Sequence, residues 1–106
     1  MKKNRIEQLL AYLKDTPNDS FVLFALAKEY ERAEQFEESL VLYQKLKKID
    51  SNYVGLYYHL AALLYQLSRK TEAKMVYEEG IAIAKRLQDH HAENELKAAY
   101  NLQDWV

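Results

Sequence analysis

The sequence predicts an all-α chain built of antiparallel helix pairs. Two observations predict it. Residues 54–87 repeat residues 20–53 at a shift of 34: Leu26-Ala27 falls on Leu60-Ala61, Leu23 on Tyr57, Phe24 on Tyr58, Glu38 on Glu72, Ser39 on Ala73, Tyr43 on Tyr77 and Ile49 on Ile83. Within each copy the large apolar residues recur every three or four positions, and a period of 34 with that internal spacing is the signature of a helix-turn-helix repeat. The second observation is compositional. Only two glycines and one proline are present, which suits helices joined by short turns.

The elements follow in order. An N-terminal helix lies within residues 3–17, where Ile6, Leu9, Leu10 and Leu13 share one helical face. Pro17 disfavours helical geometry at Thr16, and Asn18, Asp19 or Ser20 can cap the helix that follows. Repeat 1, residues 20–53, holds a helix over about 20–32 and a second over about 36–49, the latter marked by Phe36, Leu40, Tyr43, Leu46 and Ile49. Arg32-Ala33-Glu34-Gln35 is the expected turn, although it contains no glycine. Repeat 2, residues 54–87, holds helices over about 54–67 and 70–87, with Ser68 or Thr71 as candidate cap of the second. Gly80 inside that helix costs about 1 kcal/mol against alanine, which a close approach by a neighbouring helix would explain. Residues 90–103 form a mostly polar end helix, of the kind that shields the last apolar face of a solenoid. No glycine or proline separates it from its predecessor, so the sequence leaves open whether the two are one bent helix.

Composition excludes several function classes. The formal net charge is −1, so no bulk attraction to nucleic acid or anionic membrane is expected. The nine tyrosines suit base stacking, but without a basic surface a nucleic-acid partner is not expected. There are no cysteines, which removes disulfides, thiol nucleophiles and cysteine metal sites. The apolar segment behind the basic start Met1-Lys2-Lys3 is short and interrupted, so it does not read as a signal peptide, and no run reaches membrane-spanning length. A cytoplasmic chain without membrane partner is the expectation. His90 and His91 point about 100° apart on a helix and do not converge on a metal. Glu37-Glu38 and Glu78-Glu79 read as solvated faces, with Lys74 one turn before Glu78. No catalytic order, phosphate loop or cofactor motif stands out, so no enzyme and no cofactor are expected.

The residues Leu23, Leu26-Ala27, Tyr30, Ser39 and Tyr43, repeated as Tyr57, Leu60-Ala61, Leu64, Ala73, Tyr77 and Gly80, resemble the pattern of the tetratricopeptide repeat family. Leu46 departs from it, because the family usually has a small residue there. Pro17 stands where the family ends a repeat, so residues 3–17 resemble the second half of a repeat. The resemblance implies a short right-handed superhelix of two full repeats, an N-terminal half-repeat helix and a C-terminal capping helix. It also implies a non-catalytic protein-interaction module.

In this family the first-half helices line a concave groove that receives peptides. Mapped residue by residue, the inward positions are Phe21, Phe24, Ala25, Lys28, Glu31 and Arg32 in repeat 1. In repeat 2 they are Gly55, Tyr58, His59, Ala62, Tyr65 and Gln66, with Asn94, Ala98 and Asn101 in the end helix. An aromatic floor with a Lys28/Arg32 edge fits apolar and acidic peptide groups. The alternative is that these rings pack on the first helix or on one another. One family subtype grips a carboxylate with Lys and Asn where this chain has Phe24 and Lys28, so that clamp is not expected. A weak homodimer through Phe21, Phe24, Tyr58, Leu102, Trp105 and Val106 is the competing structural role, because a contiguous exposed apolar patch marks a contact site.

Overall fold

The computed structural model describes residues 4–106. Among the described residues there are six α-helices and no strand: α1 Arg5–Asp15, α2 Ser20–Arg32, α3 Phe36–Ile49, α4 Gly55–Gln66, α5 Lys70–Arg86 and α6 His90–Leu102. The expected helix start at residue 3 and the basic run Met1-Lys2-Lys3 lie outside the described residues. The chain divides into two compact units, one ending at Tyr53 and the other beginning at Val54. That division falls on the boundary between the two sequence repeats.

The first unit contains α1, α2 and α3. Asn4 caps α1, its Oδ1 accepting from the Glu7 amide at 2.8 Å. The helix stops before Pro17, where the Thr16 hydroxyl and amide both donate to the Tyr12 carbonyl. Of the three candidate caps of α2, Asp19 is the one used: its Oδ1 accepts from the Val22 amide at 3.1 Å. Helix α1 packs on α2 through Leu9, Val22 and Leu26, with Ile6, Leu13, Ala25, Tyr30 and Leu42 around them. Between α2 and α3, Leu23, Ala27, Leu40, Tyr43 and Leu46 are buried. Ser39 is buried with them, and its hydroxyl donates to the Ala27 carbonyl at 2.8 Å. A satisfied hydroxyl avoids the roughly 1–3 kcal/mol cost of a buried orphan. The Ser20 hydroxyl donates to Asp50 Oδ2 at 2.6 Å, tying the start of α2 to the end of α3.

The second unit contains α4, α5 and α6. Leu56, Tyr57, Leu60, Ala61, Leu63 and Leu64 of α4 are buried, as are Ala73, Val76, Tyr77 and Ala84 of α5 and Leu96 of α6. Gly80 sits at a close approach of α5 to Tyr57 of α4 and Leu96 of α6. A Cβ there would stand 2.5 Å from Tyr57 Cβ and 3.1 Å from Leu96 Cδ1, so a hydrogen is the largest group the packing admits without movement.

Three turns share one mechanism. Glu34, Ser68 and Gln88 have φ of 61°, 65° and 58°, the left-handed conformation that glycine usually supplies. At each, the next residue's amide reaches back across the turn: Gln35 to the Tyr30 carbonyl, Arg69 to Leu64 and Asp89 to Ala84, each at 2.9 Å. This is the Schellman closure, which satisfies carbonyls left over at the helix end. One expectation changes as a result, and one open point is decided. Ser68 ends α4 instead of capping α5, and neither it nor Thr71 caps α5, whose first amides have no side-chain cap. The left-handed Gln88 separates α5 from α6, so they are two helices, and Asp89 caps α6 by accepting from the Ala92 amide at 3.0 Å.

Candidate functional site: one open and one filled aromatic surface

On α2, residues 24 and 25 each lie three or four positions from 21 and 28, and 32 lies four beyond 28, which puts them on one face. Phe21, Phe24, Ala25, Lys28, Glu29 and Arg32, joined by Arg5 of α1 and by Tyr53, line an open hollow of about 320 Å³. Phe24 is its floor. Its ring centroid lies 5.2 Å from that of Tyr53 and 6.2 Å from that of Tyr43, both tilted. The Lys28 ammonium stands 5.1 Å above the Phe24 ring, a cation–π contact. Phe21 is 70% exposed at the mouth. The rim is cationic: Arg5, Lys28 and Arg32 face a single carboxylate, Glu29, which Arg32 contacts at 3.1 Å and Arg5 at 4.0 Å. Such a surface takes an apolar side chain and favours an acidic neighbour.

The structure therefore brings together Phe21, Phe24, Lys28 and Arg32 from the expected set. Ala25 also packs against the α1–α2 core. Glu31 instead accepts the Tyr43 hydroxyl at 2.9 Å. Burial first, and then the Glu31 carboxylate, push the Tyr43 hydroxyl far above the usual tyrosine range. The Tyr53 hydroxyl is also raised, by burial and then by Asp50 and Asp19. Sequence reasoning missed Arg5, Glu29 and Tyr53. Glu29 carried a readable signal, four residues beyond Ala25 on the same helix.

In the second unit, Gly55, Tyr58, His59, Ala62 and Tyr65 lie along α4. Gly55 and Tyr58 are exposed, and His59, Ala62 and Tyr65 are half-buried. The Tyr58 and His59 rings meet edge to face at 5.7 Å. Gln66 is exposed at the end of α4, and Asn94, Ala98 and Asn101 are exposed on α6. Tyr65 is covered by the chain itself. The segment after α6 returns so that Trp105 lies 5.5 Å from Tyr65, 5.9 Å from Tyr77 and 5.3 Å from Tyr100, centroid to centroid. The indole Nε1–H donates to the Tyr100 carbonyl at 2.8 Å. The Tyr65 hydroxyl donates to the Asp104 carbonyl at 3.2 Å and accepts from the Asp104 amide at 3.3 Å. Burial raises the Tyr77 hydroxyl, with a hydrogen bond from Gln103 opposing it.

This changes the expected apolar patch. Trp105 is half-buried among three tyrosines, and Phe24 is half-buried on Tyr43 and Tyr53. Phe21, Tyr58, Leu102 and Val106 are exposed. His91 pairs with Glu95 at 3.7 Å, and Lys97, hydrogen-bonded to Glu93, holds that carboxyl below its usual range. No group of metal-ligating side chains forms among the described residues. No helix among them is long and apolar enough to cross a membrane.

No protein-family model and no curated protein matches the chain. Solved structures do. A tetratricopeptide repeat domain protein from Salinibacter ruber, solved by solution NMR, is 33% identical with a TM-score of 0.77, over 82% of this chain and 92% of that one. A crystal structure of a Salinibacter ruber tetratricopeptide repeat domain protein is 34% identical with a TM-score of 0.74, over 77% of this chain and 92% of the other. The TPR2B domain of yeast Sti1, in its complex with pHsp70, superposes with a TM-score of 0.84 over 91% of this chain and 77% of that domain chain, at 16% identity. At that identity the Sti1 likeness speaks for the fold alone. The repeat pattern, the six helices and the identity to the bacterial domains agree: this chain belongs to the tetratricopeptide repeat family.

Proposed function

We propose that the chain is a non-catalytic protein-interaction module whose α2 face receives a peptide segment. The observation that carries this reading is the Phe24 hollow, an aromatic floor under a rim of three cations and one carboxylate. An apolar peptide side chain would lie on Phe24 and Tyr53, and an adjacent Asp or Glu would meet Lys28 and Arg32. The aromatic contact would supply most of the affinity, and the charges would supply orientation and selectivity. The Sti1 relative in complex with pHsp70 supports a protein or peptide ligand. On α4, Gly55, Tyr58, His59 and Ala62 offer a second peptide-facing stretch beside the filled Tyr65.

A phage-displayed random peptide library, panned on the purified chain, tests this. Selected peptides should pair an aromatic or aliphatic residue with acidic neighbours and bind at about micromolar Kd, near −8 kcal/mol. Phe24→Ala should weaken them in fluorescence anisotropy while the helical signal is kept. Lys28→Ala should weaken them more at low salt than at high salt, because the rim charges are solvent-screened. Selected peptides that bind both variants as they bind the wild type would place the function elsewhere. Phe21, 70% exposed, favours a second reading, a weak homodimer. Light scattering over a concentration series decides that, since a monomer at the highest concentration removes it.

A further inference from the structure

We infer that the Tyr65–Tyr77–Tyr100 pocket is a receptor for an indole-bearing peptide, and that the segment Gln103–Val106 is an exchangeable ligand occupying it in cis. This goes beyond the α2 hollow: it concerns the other unit and a different ligand chemistry. Three observations carry it. The pocket is specific in shape and polarity, with two edge-to-face tyrosines, a third tilted ring and a carbonyl that takes the indole N–H. Main-chain recognition accompanies it, because one hydroxyl, that of Tyr65, both donates to and accepts from the backbone of Asp104. The segment has one ring anchor and mostly solvated side chains: Leu102 and Val106 are 85% and 107% exposed and Asp104 is also exposed, while Gln103 is half-buried and bonds the Tyr77 hydroxyl. One half-buried aromatic set among rings, with solvated flanks, is how a short peptide binds a protein. It is not how a chain builds core, where successive residues along a face are buried together. A peptide carrying Asp-Trp can reproduce every one of these contacts once Trp105 leaves.

The occupied pocket lowers the apparent affinity for an outside peptide by the fraction of time it stands empty. Trp105 is the one tryptophan of the chain, so the Trp105→Ala protein is silent in tryptophan fluorescence. The probe is the acetylated, amidated pentapeptide of residues 102–106, LQDWV. Titrated with Trp105→Ala protein, its emission should shift to the blue and its anisotropy rise. Binding should disappear when Tyr65→Ala is added. Wild-type chain should bind a dansyl-labelled copy at least about tenfold more weakly than Trp105→Ala does. A folded Trp105→Ala chain that does not bind, or equal binding by wild type and variant, overturns the proposal. Hydrogen exchange of the Trp105 Nε1–H in the wild type decides the matter even when the variant fails to fold. An exchangeable ligand opens locally, so the indole proton should exchange far faster than the slowest α4 amides and independently of low denaturant. Exchange only through global unfolding would make Trp105 core and sink the inference.

Discussion

The α2–α3 and α4–α5 pairs are two copies of one repeat, yet they complete the same position differently. In the first, Tyr43 is buried and its hydroxyl reaches Glu31 directly. The equivalent pair in the second is Tyr77 and Tyr65, and Tyr65 brings a ring where Glu31 brings a carboxylate. There Trp105 packs on both rings, and Gln103 bonds the Tyr77 hydroxyl. The consequence reaches the surface: the face of α2 keeps an open hollow over Phe24, whereas Tyr65 on α4 is filled from within the chain. A second exchange lies deeper. Where repeat 1 has Leu23 and Leu46, repeat 2 has Tyr57 and Gly80, a larger residue on the first helix and a smaller one on the second. All four are buried. The repeat fixes which positions face inward. Volume and hydrogen bonding at each are settled pairwise, so a substitution acts through its partner in the same copy.

The largest test of this equivalence is to truncate the two core rings. Tyr43→Ala and Tyr77→Ala should each destabilise by about 3–5 kcal/mol in urea unfolding, as buried aromatic truncations do. They should differ in one readout. Tyr77→Ala removes a wall of the indole pocket and should red-shift Trp105 emission in the folded state, whereas Tyr43→Ala should leave the emission unchanged. A loss at either site no larger than that of a surface change would break the equivalence.

Gly80 tests the volume exchange. Gly80→Ala gains about 1 kcal/mol of helix propensity but forces a methyl against Tyr57 Cβ at 2.5 Å. The neighbour is the root of a side chain and cannot swing away. A net loss of about 1–2 kcal/mol is expected, within the usual cost of overpacking. Adding Tyr57→Gly, which removes both the Cβ and the Cγ that the methyl meets, should then cost less than Tyr57→Gly costs alone, because the pair is coupled. Additive losses would show that the two positions are independent.

High pH tests the hydrogen-bonding difference. A tyrosine whose folded pKa lies above its unfolded one favours folding fully below the unfolded value. That contribution falls as pH rises from the ordinary 10.0 toward the higher folded value. Each such hydroxyl costs about 1.4 kcal/mol per pH unit across that window. Tyr43, raised by burial and by Glu31, should dominate. Tyr43→Phe should cost about 1 kcal/mol at pH 8 and visibly flatten the stability loss between pH 9 and about 11. Tyr77→Phe should flatten it less, because Gln103 opposes the shift there. Equal flattening would mean that the Glu31 contact is not what separates the two rings.

Helix positions were legible because each helix carries a run of apolar residues at three- and four-residue steps long enough to outweigh local ambiguity. Turn chemistry was less so. Ser68 stands just before a helix, where a serine reads as a cap, and only the backbone reveals that it ends the preceding one. Gln88 gave no sign of a break, since glutamine seldom adopts the left-handed conformation. The α2 face was legible by the same spacing that marks the helix. Tyr53 was not, because it lies in the segment between repeats, where no periodicity reports direction. Arg5 was hidden because it comes from another helix, and Trp105 because it follows the last helical turn and folds back. Both are tertiary returns, and residue spacing within one helix carries no information about them.

The smallest expected effect concerns the turns themselves. Glu34 and Ser68 are 34 residues apart, both left-handed and both inside a Schellman closure. A left-handed non-glycine residue costs about 1–2 kcal/mol, while glycine loses about 0.4–1 kcal/mol more unfolded-state freedom. Glu34→Gly and Ser68→Gly should therefore each stabilise, by a few tenths to about 1 kcal/mol on this arithmetic, read as a small rise in thermal midpoint. Both side chains are exposed, so little packing is lost. Equal gains would show that the two copies share this turn as a backbone device, indifferent to the residue it carries. A gain at Ser68 with a loss at Glu34 would show instead that the Glu34 side chain supports the first copy, and that the copies differ at their turns as they do in their cores.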